Sequence, residues 1–417
     1  MGLSRLFCKK EDDLSKLAKA EAHMIEYAKK FGDRDADSFA MVAQDVSIPA
    51  KALPLKNHKT LKKDLHMHHV KVTNNEYDPN KEDTPLVILH GYMNGALYFY
   101  RNIVSLSNHF NTVYSVDTLG MGLSSRKPGL LKKVGRTVEE TEAFFVEALE
   151  AWRKANGISK MILAGHSIGG YIGVPYSETY PERIQQLLLL TPVGLTKENP
   201  EDIREMLNSM SWTQRQTASM IRYLFDCGVT PASFLRKIPR SRAKSMVASY
   251  VERRLPVITD PKEQKAVTNY LYYLAMVPGF GENMLNRFLR SSSHGIQPTI
   301  DRIPHLQVPQ VSIIYGESDW MDIEGGIEAC EQSRAPHKTH VEVYQLADAG
   351  HLMMLDNWRG FYAGIVTMVC GGRENTRLPP NYPSPTLVRT TRSASIVLSI
   401  DISLEEKLDK VAQATTF

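Results

Sequence analysis

Ser167 is the residue around which chemistry can be built. It sits in Ala164-Gly165-His166-Ser167-Ile168-Gly169-Gly170. The apolar run Met161-Ile162-Leu163 precedes it, and Tyr171-Ile172-Gly173-Val174-Pro175-Tyr176 reads as a helix after it. Strand, Gly-x-Ser-x-Gly and helix in that order predict a nucleophile elbow. Side chains at Gly165 or Gly169 would strike the neighbouring strand or helix in so tight a turn. The turn lifts the hydroxyl clear of the sheet. It also sets the Ile168 N–H at a helix N-terminus, where negative charge growing on a substrate oxygen is stabilised. A serine hydroxyl is a weak nucleophile alone, so a base and an orienting acid must lie elsewhere. An ordinary strand-to-helix turn could carry the same glycines. The order of the partners decides between the two.

Two later turns supply those partners. The apolar stretch from Val311 to Tyr315 ends in Gly316-Glu317-Ser318-Asp319-Trp320-Met321-Asp322, and Gly-x-x-Asp after a strand is where an orienting acid is expected. The stretch from Val341 to Leu346 leads into Asp348-Ala349-Gly350-His351, which places His351 as the base. Ser167, Asp319, His351 is the order required for an elbow of this kind. Earlier, the strand ending at Leu89 runs into His90-Gly91-Tyr92. That turn offers the Tyr92 N–H as a second donor to an oxyanion. His90 precedes the nucleophile and follows the wrong strand for the base, so it is read as shaping the turn.

The elements that must position these residues follow from the apolar runs. Runs near 84–89, 111–117, 160–163, 184–190, 310–316 and 341–346 are rich in apolar residues, as in a parallel sheet covered on both faces. The fold class is therefore α/β. A helix is predicted over Val138–Lys154, and an amphipathic helix from Asp13 to Lys30 that docks on the core. Asp117-x-x-Gly120-x-Gly122-x-Ser124 is a turn and not a nucleotide loop, since the glycine spacing is wrong and no Walker lysine follows. Leu65–Val72 reads as an edge strand. Alternation puts His66 and His68 on one face and His69 on the other, with no ligand cluster beside them in sequence to make a metal site. The strand rhythm breaks at Thr196. Residues 196–298 read as a helical cap rich in Arg236, Lys237, Arg240, Arg242, Lys244, Arg253 and Arg254, with Phe225, Phe234, Met246, Tyr250 and Leu255 between them. Such a surface suits an anionic lipid head group, although charge runs often face only solvent. The expected organisation is an N-terminal helical extension (1–61), core (62–195), cap (196–298), core (299–372) and tail (373–417). The tail holds Arg392-Ser393-Ala394-Ser395, similar to a basophilic kinase site, and a last helix near 404–411.

With 417 residues, 42% of them hydrophobic, the chain can bury one large core plus an insertion. A net charge of +4 is too mild to argue for nucleic acid. The four cysteines form no CxxC pair, which fits reduced thiols in a cytosolic-type compartment. No apolar stretch is long enough to span a bilayer, and Arg5 and Lys9 interrupt any signal-peptide core. Leu6 stands where myristoylation needs Ser or Thr, and Cys8 is a candidate for palmitoylation. A cytoplasmic protein, peripherally associated with a membrane or lipid droplet, is expected.

The segments Gly165–Gly170, Gly316–Asp322 and Gly350-His351-Leu352-Met353-Met354-Leu355-Asp356 resemble those of the CGI-58-type (ABHD4/ABHD5-like) α/β hydrolases. The last matches the family's His-x-x-x-x-Asp motif, with His351 and Asp356 as its ends. Asn269-Tyr270-Leu271-Tyr272-Tyr273 through Gly281-Glu282 is similar to the family's cap signature. The likeness covers about residues 62–372. It implies an α/β-hydrolase fold with an inserted cap and lipid chemistry without a metal or organic cofactor. Members act as phospholipases, as acyl-CoA-dependent lysophosphatidic acid acyltransferases, or as non-enzymatic activators of a partner lipase. One branch carries Asn at the nucleophile, and Ser167 favours the hydrolase branch. A phospholipid or lysophospholipid ester is thus the expected substrate. Some relatives place the acid at the position of Asp322, and Asp319 is preferred here for its spacing.

Overall fold

The computed structural model describes residues 3–32, 34–56, 64–77, 84–334, 339–370 and 382–391. Its centre is a sheet of nine strands in the order β1-β2-β4-β3-β5-β6-β7-β8-β9. Helix α1 (Leu3–Phe31) leads into β1 (Phe39–Ile48) and β2 (Leu65–Asn74), which pair antiparallel. Then come β3 (Leu86–Leu89), the short α2 (Ile103–Leu106), β4 (Thr112–Val116), α3 (Val138–Ala155), β5 (Met161–His166), α4 (Ile168–Thr179) and β6 (Ile184–Leu190). The cap follows as α5 (Pro200–Ser209), α6 (Trp212–Asp226), α7 (Pro231–Leu235), α8 (Arg240–Arg254) and α9 (Pro261–Met276). The sheet resumes with β7 (Gln310–Gly316), α10 (Glu324–Gln332), β8 (His340–Leu346), α11 (Met353–Asp356), α12 (Trp358–Cys370) and β9 (Thr386–Thr390). Every neighbouring pair from β4 across to β8 is parallel, so the catalytic-type turns all emerge at one edge.

The apolar runs form strands because both faces of each are buried. In β3, Leu86 and Ile88 enter one core cluster while Val87 and Leu89 enter the other. Helix α3 begins with a capping box in which the Thr137 side chain accepts from the Glu140 N–H. Helix α1 docks as its spacing predicts, with Leu17, Ala20, Met24 and Ala28 on one buried stripe. Its neighbours are the cap helix α9 and the core. The cap is also fastened by Arg101, whose guanidinium donates to buried Glu263 at 2.7 Å, and by Tyr270, whose hydroxyl accepts from the Leu97 N–H.

The structure corrects three sequence expectations. Residues 1–61 are not purely helical, because β1 extends the sheet from within them. Leu65–Val72 is not at an edge, because β2 lies between β1 and β4. Residues 373–417 are not all tail, because β9 pairs antiparallel with β8. The helix expected near 404–411 and the Arg392–Ser395 segment lie outside the described residues, as does the Cys8 side chain. Among the described residues no helix is long and apolar enough to cross a membrane.

Candidate active site

Ser167 stands between β5 and α4 at φ 54° and ψ −114°, a conformation side chains rarely tolerate. The glycines around it are forced by space. A β-carbon at Gly165 would lie 2.3 Å from the Gly169 carbonyl oxygen, and one at Gly169 would lie 2.6 Å from the Leu89 carbonyl oxygen of β3. The turn is held from below, because the Ser167 N–H donates to the Leu190 carbonyl at 2.9 Å. Ile168 opens α4, so its N–H belongs to the helix N-terminus.

The His90-Gly91-Tyr92 turn abuts the elbow. A β-carbon at Gly91 would stand 3.2 Å from that of Ser167. His90 is fully buried and braces this turn. Its Nδ1 is 2.7 Å from the Gly91 carbonyl, and its Nε2 accepts from the Thr118 N–H at 3.1 Å. Burial lowers its pKa, so the ring is neutral and both nitrogens are engaged. It shapes the turn and is not free to act as a base.

His351 follows β8 and Asp319 follows β7. The His351 Nδ1 lies 3.1 Å from Asp319 Oδ1, and both residues are buried. The two loops are stitched together by the Ser318 N–H on the Ala349 carbonyl and the Glu317 N–H on the Leu346 carbonyl, each at 2.9 Å. The Trp320 ring lies 5.0 Å from the His351 ring and limits its tilt. Asp322 is elsewhere: it is exposed and accepts from the Glu324 N–H at the start of α10.

His166 joins the elbow to the His351 loop. Its Nε2 lies 2.9 Å from the His351 carbonyl, and burial drives its pKa down to about 3. The neutral ring therefore donates Nε2–H to that carbonyl, fixing the loop next to Ser167. In the sequence His166 is only a motif position. The contact joins residues 185 apart in the chain, so no local signal reveals it.

The three β2 histidines do not converge. His66 Nδ1 lies 2.9 Å from Ser125 Oγ, and His69 Nδ1 accepts from Trp152 at 3.2 Å under α3. Burial lowers His69 to about 4. His68 is held between two carboxylates, with Nδ1 2.6 Å from Asp45 and Nε2 2.9 Å from Glu21 of α1. Those hydrogen bonds outweigh burial and raise His68 to about 10. Burial pulls the Glu21 carboxyl up as well, against its bond to His68, but retention of the His68 proton is favoured because a carboxylate faces each ring nitrogen. A raised histidine stabilises the folded state fully below its unfolded pKa of about 6.5 and loses that contribution as pH rises through about 10. His68→Gln is therefore expected to lose stability to urea most below about pH 6.5, with the gap to wild type narrowing as the pH approaches about 10. Parallel urea curves at both ends of that range would rule out this role.

The basic residues of the cap divide. Arg236 pairs with Glu282, and Arg240 grips Asp13 of α1 through two contacts of 2.7 Å. Arg254 approaches Asp356 to 3.9 Å. Arg240 and Arg254 fasten the cap to the rest of the molecule, and Arg236 ties the cap to itself. Exposed apolar side chains gather on α6, where Trp212, Met220 and Tyr223 are 73%, 57% and 64% exposed.

Residues 84–357 match the family model described as alpha/beta hydrolase fold. The chain is 30% identical over 298 residues to "(Lyso)-N-acylphosphatidylethanolamine lipase" of Homo sapiens, covering 70% of this chain and 81% of that protein. It is 31% identical over 279 residues to "1-acylglycerol-3-phosphate O-acyltransferase ABHD5" of Homo sapiens, covering 66% and 74%. It is 29% identical over 293 residues to "Probable 1-acylglycerol-3-phosphate O-acyltransferase" of Oryza sativa subsp. japonica, covering 69% and 68%. Among solved structures, a membrane phospholipase A aligns with TM-score 0.53 at 15% identity, covering 89% of this chain and 98% of the other. A bromoperoxidase from Bacillus anthracis aligns with TM-score 0.52 at 13% identity, covering 78% and 100%. At such identities these two likenesses speak for the fold alone.

Proposed function

The chain belongs to the α/β hydrolase fold family, within its CGI-58-type (ABHD4/ABHD5-like) branch, and from that premise we propose that it is a serine hydrolase cleaving acyl esters of glycerophospholipids and lysoglycerophospholipids. The observation that carries the proposal is a serine at a strained elbow, joined through His166 to the loop of a histidine that is itself paired with a buried carboxylate.

In this reading His351 takes the Ser167 proton as the hydroxyl attacks the acyl carbonyl. Asp319 holds the His351 tautomer and stabilises the imidazolium that forms. The N–H groups of Ile168 and Tyr92 receive the oxyanion, each contributing on the order of 3 kcal/mol in the transition state. His351 then protonates the departing lysolipid or glycerol oxygen. Water, activated by the same histidine, releases the fatty acid. The relatives' named lipid substrates support a phospholipid as the ester. A mixed panel of phospholipids and lysophospholipids, read by release of fatty acid and lysolipid, tests this directly. A well-folded protein that releases neither would end the hydrolytic reading.

Acyl transfer is the second reading, favoured by the acyltransferase names of the human and rice relatives. It keeps Ser167 and His351 and replaces the resolving water by the hydroxyl of lysophosphatidic acid, with acyl-CoA as donor. Phosphatidic acid formed from those two substrates at a rate above hydrolysis would select it.

Either substrate is embedded in a lipid surface, and α6 fits such a surface. Trp212, Met220, Tyr223 and Leu224 share one helix face, flanked by Arg215 and Arg222. None of the described side chains of α6 is fully buried. The double change Trp212→Ser with Tyr223→Ser is expected to weaken sedimentation with phosphatidylcholine–phosphatidylserine vesicles about tenfold or more. Turnover of a short soluble ester should stay at the wild-type rate. Undiminished vesicle binding would remove α6 from this role.

A further inference from the structure

The hydrolytic mechanism uses His351 but gives no task to Asp356, the other end of the His-x-x-x-x-Asp spacing. The carboxylate is nonetheless engaged. Its Oδ2 accepts from the Gly350 N–H at 3.0 Å, the peptide group immediately before His351. Its other oxygen lies 3.9 Å from Nη1 of Arg254, the last residue of cap helix α8. Both groups close on the same spot. A β-carbon at Gly350 would meet Arg254 Nη2 at 3.1 Å and Asp356 Oδ2 at 3.3 Å. The Asp356 side chain is only 12% exposed, so its hold on the loop is little diluted by water. Its own backbone is fixed by the Asp356 N–H on the Leu352 carbonyl at 2.9 Å.

We propose that Asp356 and Arg254 are positioning residues for His351. Asp356 pins the loop through the Gly350 N–H, and Arg254 backs that carboxylate from the cap. The seating of the cap and the placement of the base are thereby set together. The kinetic part of this rests on His351 being the base of the proposed hydrolase; the structural part does not. The arrangement gives Asp356 a task other than acid–base chemistry on an acyl donor, because the carboxylate already serves the loop.

The test uses the full chain with Asp356→Ala, Asp356→Asn and Arg254→Gln, each checked for an unchanged melting transition. Hydrogen exchange over residues 347–352 is measured beside steady-state hydrolysis of a short soluble p-nitrophenyl ester. Asp356→Ala should speed exchange in that segment and lower kcat about tenfold or more with KM little changed, as expected of a misplaced base. Asp356→Asn should recover most of kcat, because an amide oxygen still accepts the Gly350 N–H. Arg254→Gln should speed the same exchange to a smaller extent. Wild-type exchange in Asp356→Ala would overturn the pinning, and wild-type exchange in Arg254→Gln would overturn the link to the cap. A wild-type protein without esterase turnover would overturn the hydrolytic reading and the kinetic half of this proposal, while the exchange arm still judges the loop.

Discussion

Replacing Ser167 with Ala is expected to abolish ester hydrolysis, with a fall in kcat on the order of 10⁶-fold, and to leave the melting temperature near that of wild type. The size of the loss follows from the chemistry. Without the hydroxyl no acyl-enzyme forms, and only the oxyanion donors and substrate binding remain to accelerate attack by water. The constancy of the fold follows from the geometry. The Ser167 side chain makes no capping hydrogen bond to α4. The turn is held by backbone, through the Ser167 N–H on Leu190 and the Ser167 carbonyl, which accepts from the Gly170 N–H at 3.0 Å. Alanine keeps both bonds and bears the same positive φ as serine does. Labelling by a serine-directed fluorophosphonate should vanish in parallel with hydrolysis. Hydrolysis that survives the substitution would mean a different nucleophile, and the elbow would then be an ordinary turn.

The parts of the site legible in the sequence are those whose causes are local. Gly165 and Gly169 are required by atoms within a few residues or in the adjacent strand, so their spacing carries the turn. Leu17, Ala20 and Met24 announce the docking of α1 because a helix repeats every 3.6 residues. Strand β1 is harder to read. It lies at the margin of the sheet with Val42 49% exposed and Gln44 and Asp45 in its middle, so no apolar run marks it. Strand β9 alternates weakly for the same reason, with Leu387 44% exposed. The cap misleads most. Arg240 and Asp13 are 227 residues apart, and nothing near either shows that they meet. A cluster that reads as a basic surface therefore spends three arginines on internal fastening. Tyr250 and Leu255, read as apolar partners of that surface, pack inward instead. The outward apolar face lies on α6, whose Trp212, Met220 and Tyr223 fall outside the charge-rich stretch that draws the eye.

The choice between two neighbouring carboxylates yields the sharpest discrimination. Asp319→Asn should lower kcat on the order of 10⁴-fold, while Asp322→Asn should leave it close to wild type. Asp319 Oδ1 faces the His351 Nδ1 at 3.1 Å, so as a carboxylate it keeps the proton on Nδ1 and leaves Nε2 able to accept from Ser167. An amide there can turn its NH₂ toward Nδ1, which places the ring proton on Nε2 and disables the base. It also withdraws the charge that stabilises the imidazolium. The Met321 N–H donates to this same Oδ1 at 3.0 Å, so an inward NH₂ also takes away its acceptor, while an inward amide oxygen keeps that bond but still removes the charge. Asp322 is exposed and receives the Glu324 N–H at 3.1 Å, a bond that Asn makes equally well at the start of a helix. The helix-start bond is therefore kept. Measured side by side on one soluble ester, a severe loss in Asp322→Asn with a mild one in Asp319→Asn would transfer the orienting role to Asp322. It would also require Asp322, not Asp319, to face the His351 Nδ1.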